Sequence, residues 1–162
     1  MAAEYEMYRQ RIMYLWQLLS GRQKGHLLRS RIQTYRKQKN WTIRRLSAIS
    51  GVAYKLVWDM EHGRTPRLTN AYKVASAFEL TVYELWEIPC SAPEVDAAKF
   101  EFAALRDQRE ARQWSLDTLA EMSGVPKNTI YRIENGQVPS LESAVRIAAA
   151  LEVSVYQLWK PT

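Results

Sequence analysis

Residues 115–136 read SLDTLAEMSGVPKNTIYRIENG, and the fold turns on how that stretch is parsed. Ser115 is a good helix N-cap, because its hydroxyl can accept a first-turn amide, and Asp117 sits where the helix dipole favours an acid. Gly124 stops that helix, in a left-handed conformation that a residue with a Cβ adopts only under strain. Pro126 suits the first turn of a second helix, where its missing amide would have no partner anyway. The stretch is therefore two short helices joined by a tight turn, with Val125, Ile130 and Ile133 on the inward side.

A weaker version, TIRRLSAISGVAYKLVWDMEHG, occupies residues 42–63. Gly51 and Gly124 are 73 residues apart, and at that offset the halves register without a gap from Trp41/Trp114 through Trp86/Trp159. Leu46/Leu119, Ser50/Ser123, Glu61/Glu134, Gly63/Gly136, Pro66/Pro139 and Tyr83/Tyr156 are identical pairs. Glycines, a proline and tryptophans agreeing together mark an internal duplication.

Each copy reads as five helices. In the second, helix one is expected over 98–113 with Phe102 and Leu105 inward, and helix four follows Pro139 with Ser140 as its cap. Helix five opens with the capping box Ser154-x-x-Gln157, whose counterpart is Thr81-x-x-Glu84. No strand of standing is read, so the class is all-α. The expected layout is an N-terminal amphipathic helix over 1–21, a first domain over 22–88, a linker over 89–97 and a second domain over 98–162. Pro89 and Pro93 make the linker semi-rigid. In the N-terminal helix, Tyr5, Tyr8, Ile12, Leu15 and Leu19 share one face. That face either packs on the neighbouring domain or serves as a dimerisation or partner-docking arm.

The composition bounds the partners. The chain has 162 residues, 47% of them hydrophobic, and a net charge of +6. Residues 1–90 hold 15 Lys and Arg against 7 Asp and Glu, a net of +8, whereas residues 91–162 hold 8 against 10, a net of −2. An anionic partner is favoured, with phosphate attraction concentrated in the first half. Cys90 is the single cysteine, which excludes a disulfide framework and a thiolate metal site. No apolar run approaches the roughly 20 residues of a spanning helix, and the N-terminus lacks a signal-peptide core, so a cytoplasmic protein is expected.

With these residues read, each copy resembles the helix-turn-helix domain of the lambdoid phage repressor and Cro superfamily, also called the XRE family. Leu119-Ala120, the Gly124-Val125 turn, Ile130, Ile133, the Glu134-x-Gly136 ending and Pro139 fall where that family places them. The resemblance implies two tandem five-helix repressor-like domains over about 28–88 and 98–160. It also implies a structural pair between a helix-one arginine and the glutamate ending helix three, here Arg36 with Glu61 and Arg109 with Glu134. One family feature is missing: a glutamine just after the helix-two cap, which helps to bind the DNA backbone, is Ile43 in one copy and Leu116 in the other.

In the resembled geometry helix three enters the major groove and helix two crosses the backbone. Lys127, Asn128, Tyr131 and Arg132 would then be displayed to DNA by the second copy. Lys127 and Arg132 suit guanine acceptors or phosphates, Asn128 suits adenine, and Tyr131 suits a thymine methyl or a phosphate. The first copy would display Ala53, Tyr54, Lys55, Trp58 and Asp59, with Trp58 either wedged against bases or anchoring a protein interface. Arg44 and Arg45, with Arg22, Lys24 and Arg29, would meet phosphates. Two copies in one chain imitate a repressor dimer, with inverted and direct arrangements of the half-sites both open.

The function expected is a bacterial or mobile-element transcriptional regulator that binds double-stranded DNA, with no cofactor, metal or membrane. A homodimer or protein partner through the N-terminal helix is the further partner considered. The alternative is an antitoxin-like or scaffold protein whose first domain and N-terminal helix hold a protein. An enzyme is not expected, since His26 and His62 are isolated and no paired carboxylates or nucleotide-binding glycine loop stands out.

Overall fold

Hydroxyl caps and left-handed glycines frame each half. The computed structural model describes residues 28–88 and 104–161. The expected N-terminal helix, Arg22, Lys24, His26, the linker with Cys90, and Phe102 lie outside the described residues. Among the described residues the first half contains α1 (Ile32–Gln38), α2 (Ile43–Ser50), α3 (Tyr54–Glu61), α4 (Leu68–Ala77) and α5 (Val82–Leu85). The second contains α6 (Leu105–Ala111), α7 (Leu116–Ser123), α8 (Lys127–Glu134), α9 (Leu141–Ala150) and α10 (Val155–Leu158).

Thr42 Oγ1 accepts the Arg45 amide at 3.1 Å and Ser115 Oγ accepts that of Thr118 at 3.0 Å, starting α2 and α7. Both helices end on a left-handed glycine, Gly51 with φ 70° and Gly124 with φ 68°. The identical serines Ser50 and Ser123 then tie each turn, their hydroxyls accepting the amides of Val52 and Val125. Leu46, Val57, Leu68 and Leu85 fill the first core, and Leu119, Ile130, Leu141 and Leu158 fill the second. Ile43 and Leu116 lie partly buried against these cores.

One expectation is corrected and one detail is added. Helix one of the second half begins only at Leu105 rather than at 98, since Ala104 is extended (ψ 147°), and stops at Ala111 rather than Gln113, because Gln113 turns left-handed (φ 57°) and the Trp114 amide bonds back to the Arg109 carbonyl. The all-α chain also carries a short strand pair, β1 (Arg29–Ser30) antiparallel to β2 (Trp86–Glu87). It lays the chain entering α1 alongside the chain leaving α5, where Trp86 is buried.

The arginine–glutamate pairs form as the resemblance implied. Arg36 Nη2 donates to Glu61 at 3.1 Å and Nη1 to the Trp41 carbonyl at 2.7 Å; Arg109 repeats this on Glu134 at 3.1 Å and on Trp114 at 2.8 Å. Hydrogen bonding to the glutamate raises the pKa of each arginine against an opposing effect of burial. Each pair locks α1 to the end of α3, or α6 to the end of α8, through bidentate geometry.

The halves meet through equivalent residues. The Leu68 amide donates to the Pro139 carbonyl at 3.0 Å, and the Leu141 amide to that of Pro66 at 2.9 Å, around an antiparallel bridge between Arg67 and Ser140. The Val82 amide donates to the Tyr156 hydroxyl at 2.9 Å, and the Val155 amide to that of Tyr83 at 3.0 Å. Tyr72 departs from this symmetry. It stacks on Tyr156 at 4.8 Å between centroids and directs its hydroxyl at the carbonyls of Val155 and Trp159.

Two stability outcomes follow from these contacts. Gly51→Ala should cost about 1–2 kcal/mol in denaturant unfolding from backbone strain alone, since an added Cβ at Gly51 would meet nothing within 4 Å. Tyr83→Phe and Tyr156→Phe should each cost about 1–3 kcal/mol by the same measurement, because each strands a helix amide. Should either tyrosine variant unfold like the parent, the amide is being satisfied by some other group.

Candidate nucleic-acid interface

The geometry separates the two faces of each third helix. On α8, Ile130 and Ile133 are buried, as is Val125 before it, while Lys127, Asn128, Tyr131 and Arg132 are all exposed. Tyr131 is 56% accessible. Lys127 is held by Asp117 of α7 at 2.7 Å, so its ammonium is already partnered within the protein. Both groups are more than half exposed, which makes this a weak, exchangeable pair. Asn128 and Arg132 are therefore the better-placed hydrogen-bonding groups of that helix.

On α3, Val57 and Met60 are buried, and Ala53, Tyr54, Lys55 and Trp58 are exposed as expected. Trp58 is exposed but packed on both sides by its own helix. His62 stacks on it at 3.7 Å between centroids, and the Lys55 ammonium lies 5.3 Å from its ring centre. The His62 Nδ1–H donates to the Trp58 carbonyl at 2.7 Å, and the amide of Asn135 does the same to Tyr131 at 2.7 Å. These equivalent side chains close the ends of α3 and α8, which accounts for His62 without catalysis.

Asp59 is the residue that the sequence misplaced. Rather than facing outward, it is 8% exposed and accepts hydrogen bonds from Lys55 at 3.2 Å and Arg64 at 3.1 Å. Burial pushes its carboxyl up, and the two cations outweigh that and hold it below the usual carboxylate range. The two cations beside it offset the repulsion that its charge would exert on a nearby phosphate. Its counterpart in the second half, Arg132, is exposed.

Three further groups escaped the sequence reading. Arg64 depends on a contact with Asp59 that only the folded turn creates. Leu56 and Ile49 are 41% and 46% exposed. Leu56 was detectable by phase: with Val57 and Met60 inward, the residue before Val57 is rotated about 100° off the stripe.

Arg44 and Arg45 are exposed in the first turn of α2, which carries no acid. Cations there oppose the helix dipole, a cost that an anionic ligand would reverse. At the position of Arg44 the second half has Asp117. Arg29 is exposed on β1. Among the described residues, no group of three His, Cys, Asp or Glu side chains could hold a metal ion. No helix among them is long and apolar enough to cross a membrane.

A family model for the helix-turn-helix matches the chain twice, over residues 32–85 and 105–158. No curated protein and no solved structure matches the chain. The matched spans begin at α1 and α6 and end at α5 and α10.

The Asp59 ion pairs carry a pH signature. A depressed carboxyl contributes stability above the unfolded pKa, near 4, and loses it as pH falls through the folded value. The stability advantage of the parent over Asp59→Asn should be full at pH 6 and shrink steadily below about pH 4. Urea midpoints at several pH values measure it, and a pH-independent gap would show that the pairs add nothing.

Proposed function

The chain belongs to the Cro/C1 (XRE-type) helix-turn-helix family of DNA-binding regulators, and on that premise we propose that it is a sequence-specific, repressor-like regulator reading duplex DNA through α8 and α3. The observation that carries this is the exposed polar set on α8, Asn128 with Arg132, opposite a wholly buried apolar face. Asn128 offers a bidentate partner for adenine, Arg132 one for guanine. Tyr131 supplies an aromatic contact, and Lys127 joins once a phosphate or base displaces Asp117. On α3, Tyr54, Lys55 and Trp58 are the reading groups, and Arg44 and Arg45 of α2 meet the phosphate backbone.

One observation favours a second reading. Tyr54, Leu56 and Trp58 expose apolar area on one short helix, as a protein-docking surface would. In that case α8 alone reads DNA and the first half holds a protein partner.

Selection of bound sequences from a random duplex pool, followed by mobility shifts on the selected site, tests both. Asn128→Ala and Arg132→Ala should each cost about 1–3 kcal/mol, roughly 5- to 150-fold, and relax preference at one base position. Arg44→Ala and Arg45→Ala should weaken every sequence alike and each lower the slope of log affinity against log salt by about 1. Unchanged sequence preference in Asn128→Ala plus Arg132→Ala would remove α8 as the reader. Unchanged binding in Tyr54→Ala plus Lys55→Ala assigns α3 to docking.

A further inference from the structure

We propose that one chain is a complete two-headed reader, whose site is an inverted but non-palindromic pair of unlike half-sites about one helical turn apart. This rests on the DNA-reading function above and deepens it. The evidence is in how the halves touch. Leu68 bonds to Pro139 and its counterpart Leu141 to Pro66; Tyr156 takes the Val82 amide and its counterpart Tyr83 takes that of Val155. Each contact is returned by the same residues with the halves exchanged, which is the mark of a two-fold, isologous interface. A head-to-tail repeat would set different surfaces against each other. Arg67 bridges to Ser140, its own counterpart at the 73-residue offset, so the local axis passes through that bridge.

Chain length then limits the spacing. The axis lies only six residues beyond Glu61, where α3 ends. Six residues reach at most about 20 Å, and the midpoint of an eight-residue helix lies about 6 Å from its end. Doubling this and adding about 5 Å for the bridge puts the midpoints of α3 and α8 less than about 60 Å apart. Half-sites one turn apart, near 34 Å, fit within that reach, whereas two turns, near 68 Å, do not. The two-fold makes the half-sites inverted.

The reading surfaces are not equivalent. At matching positions α3 carries Tyr54, Lys55, Leu56 and Trp58 where α8 carries Lys127, Asn128, Thr129 and Tyr131. Asp59 is turned in where Arg132 is turned out. The α8 half-site is accordingly matched by hydrogen bonds to purines, and the α3 half-site by aromatic and leucine contacts with thymine methyls. Since the pairing surfaces lie within one chain, no second chain is needed.

The test uses the full chain and duplexes selected from a random pool. The expected result is an inverted motif with unlike halves, one thymine-rich. One chain should be bound per duplex by native mass spectrometry. Inserting five base pairs between the halves should then lower affinity about 100-fold, as the second contact loses its tether. A direct repeat, a single half-site, a palindrome bound by two chains or indifference to the insertion overturns the proposal while leaving sequence-specific reading intact. Absence of any sequence preference overturns the reading function itself, and this inference with it.

Discussion

The first turn of a helix holds amide protons that no carbonyl of its own helix can take, and here the opposite half takes four of them, those of Leu68, Val82, Leu141 and Val155. In α5 the capping box joins the Thr81 hydroxyl to the Glu84 amide and the Glu84 carboxylate to the Thr81 amide. The Val82 amide goes to the Tyr156 hydroxyl, and that of Val155 at the start of α10 goes to Tyr83 in the same way. Val82 and Val155 are also fully buried. Separating the halves would remove both acceptors together. The relative placement of the third helices α3 and α8 depends on this contact, because they are locked by Glu61 and Glu134 onto cores that the tyrosines hold together.

Much of the fold was legible because its signals are local. The caps at Thr42 and Ser115, the glycine stops and the two capping boxes need only a few neighbouring residues, and all of them form. The inward set Val125, Ile130 and Ile133 followed from helical phase. Asp59 failed for the opposite reason: its place depends on Arg64, five residues on and across a turn, and a local reading has no means to pair them. The end of α6 failed because Gln113 adopts a left-handed conformation with no glycine to announce it. The repeat itself concealed one thing. Identical pairs such as Tyr83/Tyr156 and Pro66/Pro139 look like residues doing the same job inside each half, yet they touch across the boundary.

Tyr72 shows what a shared chain permits. Its counterpart at the 73-residue offset is Val145, so at this position only the first half sends a tyrosine across the interface. Burial pushes its pKa far above the ordinary phenol value, with lesser contributions from Tyr156 and Tyr83. The hydroxyl thus stays protonated and remains a donor toward the carbonyls of Val155 and Trp159. Two separate, identical subunits would have to place a tyrosine at both positions or at neither.

The same freedom extends to the third helices. In a homodimer a substitution on the reading helix appears twice, so a change that suits one half-site is imposed on the other. A fused pair removes that constraint, provided the contact between the halves is retained. The chain shows this combination. The pairing residues Pro66/Pro139, Leu68/Leu141, Val82/Val155 and Tyr83/Tyr156 are identical, while Tyr54/Lys127, Lys55/Asn128, Leu56/Thr129 and Asp59/Arg132 all differ. Identity is kept at these four paired contacts, though not at the Arg67/Ser140 bridge or at Tyr72/Val145, and is lost along the third helices, where Asp59 turns in and Arg132 out.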